Sequence, residues 1–146
     1  MKKIISPLTD TARIDPDDYS PVTSASRRSS FICALAGWVY MLNRQKNVRI
    51  QAVASLLVFA LALYLRIDTG GLALLVITIT IVWIAEFLNA AVEAAVNLAT
   101  SELHPMAKVA KDVAAAAVLL GAVASIAVGL LVLGPPLFER IGWPGG

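Results

Sequence analysis

The chain has 146 residues, of which 58% are hydrophobic and 15% charged, with a formal net charge of +2. A soluble domain carries about 25% charged residues, so this balance argues against a water-soluble fold and for one domain built from several membrane helices. The small net charge gives no ground for a nucleic-acid partner, and the single cysteine, Cys33, excludes a disulfide framework or a cysteine zinc cluster.

Residues 1–25 are rich in Ser, Thr, Pro and Asp without a sustained apolar period, and read as a flexible cytoplasmic tail. No cleavable leader is expected, because the apolar segments begin late. Residues 29–43 predict an amphipathic helix with Phe31, Leu35, Trp38 and Leu42 on one face. Arg27 and Arg28 precede it, Arg44, Lys46 and Arg49 follow it, and Trp38 and Tyr40 suit the headgroup level. It is expected to lie on the inner leaflet.

Three spans follow, at residues 50–67, 72–99 and 113–133. Asp68, Thr69, Gly70 and Gly71 are expected to form the turn between the first two, and Gly134, Pro135 and Pro136 to stop the third. The expected architecture is therefore an all-α membrane domain over residues 26–134, with a short external tail at 135–146. Eight of the twelve Lys and Arg precede the first span, and Lys108 and Lys111 lie between the second and third. By the positive-inside rule the N-terminus and that connection face the cytoplasm.

The second span carries a polar stripe. Glu86, Asn89, Glu93 and Asn97 fall at about 0°, 300°, 340° and 20° around a helix of 100° per residue. Glu102, His104, Lys108, Lys111 and Asp112 are then expected in a short connection. If the span enters the hydrocarbon near Leu72, Glu86 lies about 9 Å to the cytoplasmic side of the midplane and Glu93 about 20 Å. A mid-membrane ion carrier wants its carboxylate deeper than this. The arrangement suits a reaction between a membrane-buried alcohol and a water-soluble phosphate donor. Glu86 is placed to act as general base, Glu93 to offer an oxygen to Mg²⁺, and Lys111 to neutralise charge on a transferred phosphoryl group. Asn89, one turn from Glu86, is placed to hold the base or the substrate hydroxyl. No GxxxxGK phosphate loop is present, so a nucleotide site here is of another design. The structural alternative is that Glu86 and Glu93 pair with basic residues of a neighbouring helix.

ExxNxAxE at 86–93, ExH at 102–104 and AKxxKD at 107–112, with SFxxAxxG at 30–37 and NxRI at 47–50, resemble the prokaryotic diacylglycerol kinase family. Its members include undecaprenol kinases. The resemblance implies a small integral-membrane lipid kinase of the bacterial inner membrane, with a surface helix and three spans per subunit. It also implies a homotrimer with active sites shared between subunits, and transfer of the γ-phosphoryl of Mg-ATP to a lipid hydroxyl. By similarity Glu86 takes the place of the catalytic base that meets the substrate, and Asn89 belongs to the same motif. Glu93 takes the place of the carboxylate that binds Mg²⁺ and ATP, and Glu102, Leu103, His104, Lys111 and Asp112 match segments that contact the nucleotide. Two positions depart from the family pattern. Gln45 stands where a second metal-binding glutamate is usual, and Asn97 where aspartate is common. The competing readings are a small proton- or ion-coupled transporter using Glu86, and an inactive assembly protein.

Overall fold

The computed structural model describes residues 27–100, 102 and 104–142. Among them every regular element is helical: α1 Arg27–Arg44, α2 Lys46–Tyr64, α3 Thr69–Ala99 and α4 Pro105–Arg140. α1 begins in a unit that ends at Val39, and α2, α3 and α4 belong to a second unit that starts at Tyr40. The tail expected at 1–25 and the single position Leu103 lie outside the described residues.

α1 covers the segment expected at 29–43, and its Phe31, Leu35 and Trp38 are exposed. The chain breaks at Gln45, which adopts an extended conformation (φ −95°, ψ 115°) and starts α2 without lending its side chain to the cap.

α2, α3 and α4 are each long and apolar enough to cross a membrane. Their 19, 31 and 36 residues correspond to about 28, 46 and 54 Å, against a hydrocarbon core of about 30 Å. In the most apolar stretch of α4 only 6% of residues are buried within the chain, and α2 and α3 reach 11% and 17%. So little self-burial leaves the apolar side chains to lipid or to further copies.

The turn between α2 and α3 differs from expectation. α2 ends at Tyr64 rather than near residue 67, and the glycines belong to α3, which starts at Thr69 rather than Leu72. Arg66 sits at φ 57°. The Arg66 N–H donates to Leu63 O (3.2 Å) and the Ile67 N–H to Ala62 O (3.0 Å), the hydrogen-bond pair of a Schellman stop. Asp68 caps α3 by accepting from the Gly70 N–H at 2.9 Å. With both helix ends satisfied here, the two glycines are free to continue the helix. Gly71 is needed for space: a Cβ there would meet Ile67 Cγ2 at 2.6 Å and Val132 Cγ1 at 3.1 Å.

α4 also departs from expectation, since it runs through Pro135 and Pro136 to Arg140 instead of ending near Leu133. Proline opposes a helix through its missing N–H and through its clash with the preceding residue. Before Pro135 stands Gly134, which has no Cβ to clash, and the last turn is closed by Ile141 N–H donating to Leu137 O at 3.1 Å. Arg140 then stacks over Tyr64, 5.2 Å from the ring centre, tying the end of α4 to the end of α2.

The core sits at this turn end, where Ala62, Leu75 and Leu133 are buried against Val58, Leu61, Leu65, Ile67, Leu72 and Val132. Further along, Gly121 lets α4 approach α3 so closely that an added Cβ would touch Val82 at 3.7 Å. α3 packs chiefly on α4, and this pairing holds the polar stripe.

Candidate active site

Glu86 lies about 26 Å along α3 from Thr69, close to the level at which α2 begins. It is 2% exposed, the one charged side chain buried among the described residues. Its Oε2 has no hydrogen-bond partner, and neither does the buried Oδ1 of Asn89, one turn on. A buried polar atom left without a partner costs about 1–3 kcal/mol. Two such atoms lie within four residues of each other on a helix long and apolar enough to cross a membrane, which makes this stretch the candidate site.

On the α2 side of the bundle, Trp83 Nε1 donates to Ser55 Oγ at 3.3 Å, and Ser55 Oγ donates to the Gln51 carbonyl at 2.7 Å. These residues and Ser125 of α4 line a cavity of about 180 Å³, and the Gln51 Oε1 is a third buried atom without a partner. This polar line is not among the residues singled out from the sequence. Its signal there is an amide and a hydroxyl, Gln51 and Ser55, at i and i+4 in an apolar span.

Asn89 belongs to a different feature, a groove of about 710 Å³ between α3 and α4. Ile81, Leu88, Val92, Val109 and Val113 form its walls, and the alanines Ala114 and Ala117 leave it open. Asn89 is the one polar residue in that lining.

Beyond the groove, the end of α3 and the start of α4 enclose a cleft of about 630 Å³, lined by Asn97, Glu102, His104, Lys108, Lys111 and Asp112 among others. Here the sequence expectation needs correction, because Lys108, Lys111 and Asp112 are helical rather than part of the connection. The connection is only 100–104. His104 caps α4 through Nδ1, which accepts from the Met106 N–H at 3.2 Å, and Pro105 takes the first helical position. With Nδ1 accepting, the neutral ring carries its proton on Nε2. Thr100 and Glu102 tie the connection through Glu102 N–H donating to Thr100 Oγ1 at 3.1 Å.

The two lysines have different partners. Lys108 forms an ion pair with Asp112, one turn along on the same helix. Lys111 reaches back across the cleft, and its Nζ donates to Asn97 Oδ1 at 2.7 Å.

Six residues singled out in the sequence thus share one cleft: Asn97, Glu102, His104, Lys108, Lys111 and Asp112. Glu93 is half-buried on the same stripe, one turn before Asn97, and Gln45 is half-buried at the α1–α2 break. Among the described residues no three His, Cys, Asp or Glu side chains gather into a metal-binding group. The metal donors expected from the sequence are one carboxylate, Glu93, and the amide of Gln45, oxygen ligands of the kind Mg²⁺ takes.

The family model for prokaryotic diacylglycerol kinase matches residues 32–133. The chain belongs to that family. A diacylglycerol kinase of Synechocystis is 41% identical over 111 residues, which is 75% of this chain and 63% of the relative, so the chain accounts for less than two thirds of that relative's length. The undecaprenol kinase of Bacillus subtilis is 33% identical over 74% of this chain and 88% of its own length. The diacylglycerol kinase of Escherichia coli K12 is 33% identical over 67% of this chain and 77% of its own. The matched region takes in the whole stripe and the cleft, and the family is one of kinases named for lipid alcohols.

Proposed function

We propose that this family member transfers the γ-phosphoryl group of ATP to the hydroxyl of a membrane lipid, diacylglycerol or undecaprenol, at the cytoplasmic end of α3 and α4. The observation that carries the reading is Glu86: a carboxylate buried in a membrane-crossing helix, with an oxygen that no group among the described residues satisfies.

The chemistry follows from the two ends of the stripe. A lipid hydroxyl entering from the bilayer meets Glu86 and Asn89. Glu86 takes the hydroxyl proton while the lipid oxygen forms its bond to the γ-phosphorus, and the bond from that phosphorus to the bridging oxygen breaks to release ADP. Asn89 orients the hydroxyl through its unpaired Oδ1. At the water side, Lys111, His104, Glu102, Leu103 and Asp112 receive the nucleotide, where Lys111 offers positive charge to the phosphates and His104 an Nε2–H. Glu93, with Gln45 as the second candidate ligand, would hold Mg²⁺, which neutralises phosphate charge when bound. Gln45 contributes no negative charge, so the ion is held more weakly than by two carboxylates.

The orientation rests on the positive-inside distribution of Lys and Arg. α1 lies on the inner leaflet with Phe31, Leu35 and Trp38 in the acyl boundary. The protein assembles as a trimer in the inner membrane, and further copies cover the apolar surface of α3 and α4 that one chain leaves open. Each site is completed across a subunit boundary.

The test is phosphorylation by purified protein in lipid, supplied with Mg-ATP and each alcohol in a separate arm. The reading expects a labelled lipid phosphate in one arm or both. A folded, monodisperse protein that labels neither overturns it. The transporter reading is not favoured, because Glu86 sits near the end of the hydrophobic core, at the level where α2 begins.

A further inference from the structure

The kinase reading gives Asn97 no task, yet Asn97 makes a side-chain hydrogen bond that joins α3 to α4 across the cleft. Its Oδ1 lies 2.7 Å from Lys111 Nζ. Both residues line the cleft, and Asn97 is exposed while Lys111 is half-buried. Resting on the kinase reading of this cleft, we infer that Asn97 is a positioning residue that holds the Lys111 ammonium in place for the phosphate chain of the nucleotide.

Three features carry the inference. A lysine side chain is long and loses much rotamer freedom when fixed, so an anchor supplied before the ligand arrives removes part of that loss from binding. An ammonium has three N–H donors and the amide takes one, leaving two for phosphate oxygens. Lys108, by contrast, is already committed to Asp112 on its own helix. The cleft therefore holds one lysine committed to its own helix and one presented across the gap. Asn97 sits a full turn beyond Glu93 on the stripe, and its amide oxygen meets Lys111 on the antiparallel neighbour.

The experiment is a double-mutant cycle on the full chain with Asn97→Ala, Lys111→Ala and both together, measuring nucleotide KM and kcat in lipid and, separately, direct binding of a fluorescent ATP analogue with Mg²⁺. Asn97→Ala is expected to raise the nucleotide KM and the analogue Kd by about five- to tenfold with kcat and lipid KM near wild type. In the Lys111→Ala background the same change is expected to do nothing. Asn97→Asp, which keeps an acceptor at the same reach, is expected to restore the KM to within about twofold of wild type. A wild-type KM and Kd in Asn97→Ala overturns the inference, as does an equal loss in the Lys111→Ala background. The two readings fail differently. Nucleotide binding with the expected cycle but no lipid phosphorylation overturns the kinase reading and leaves Asn97 its role. Phosphorylation with an indifferent Asn97 does the reverse. Because Asn97 is on the surface, an altered elution volume would mark a folding effect, and Asn97→Asp then decides.

Discussion

The two ends of the α3–α4 pair are built on opposite rules. At the turn end the apolar side chains are buried and the helix ends are closed: the Schellman stop at Arg66, the Asp68 cap, the Arg140–Tyr64 stack and the tight seat of Gly71. At the other end Glu86 and Asn89 keep buried oxygens without partners, and Lys111 is presented across a cleft. One end is packed and closed and the other keeps polar atoms without partners, so substitutions at the two ends should separate in an assay that reads both stability and the proposed activity.

The largest separation is expected at Glu86. Glu86→Gln keeps the shape and removes the base, so kcat should fall by about 10²- to 10⁴-fold with nucleotide affinity nearly unchanged. A wild-type kcat would remove Glu86 from the reaction. Next is Lys111→Ala, expected to raise the nucleotide KM by about tenfold or more without changing the unfolding temperature. An unchanged KM would place the nucleotide elsewhere. Gly71→Ala probes the opposite end: overpacking against Ile67 and Val132 should destabilise by about 1–3 kcal/mol, seen as a lower unfolding temperature, while kcat of the folded fraction holds. Asp68→Ala should act in the same direction through the lost cap, by about 1 kcal/mol. Smallest is Gln45→Glu, expected to lower the Mg²⁺ concentration for half-maximal rate severalfold at constant kcat. No shift would take Gln45 out of the metal shell.

The polar stripe is legible in the sequence itself, because four polar residues at helical spacing are conspicuous in an apolar run. Three helices long enough to cross a membrane are legible for the same reason. The features that escape such a reading are those where a local signal competes with a tertiary one. Gly70 and Gly71 read as a turn, but the turn is made by Arg66 in a left-handed conformation, and Gly71 is there to let α4 approach. Pro135 and Pro136 read as a stop, but Gly134 eases the conflict ahead of Pro135 and the helix runs on to Arg140. Lys111 and Asp112 read as loop because charge suggests water, whereas His104 and Pro105 start the helix ahead of them. The Asn97–Lys111 bond joins residues 14 apart in sequence across two helices, a pairing no periodicity within one helix reveals.

The central claim is that the buried Glu86 carboxylate is held for catalysis and not for stability. The direct measurement is Glu86→Leu, with thermal unfolding and lipid phosphorylation read on the same preparation. Replacing a buried oxygen that has no partner with an apolar group of similar size should leave the unfolding temperature equal or higher, while phosphorylation disappears. A fall in stability that accompanies the loss of activity would contradict the account, since it would show Glu86 paired within the assembly as a structural group.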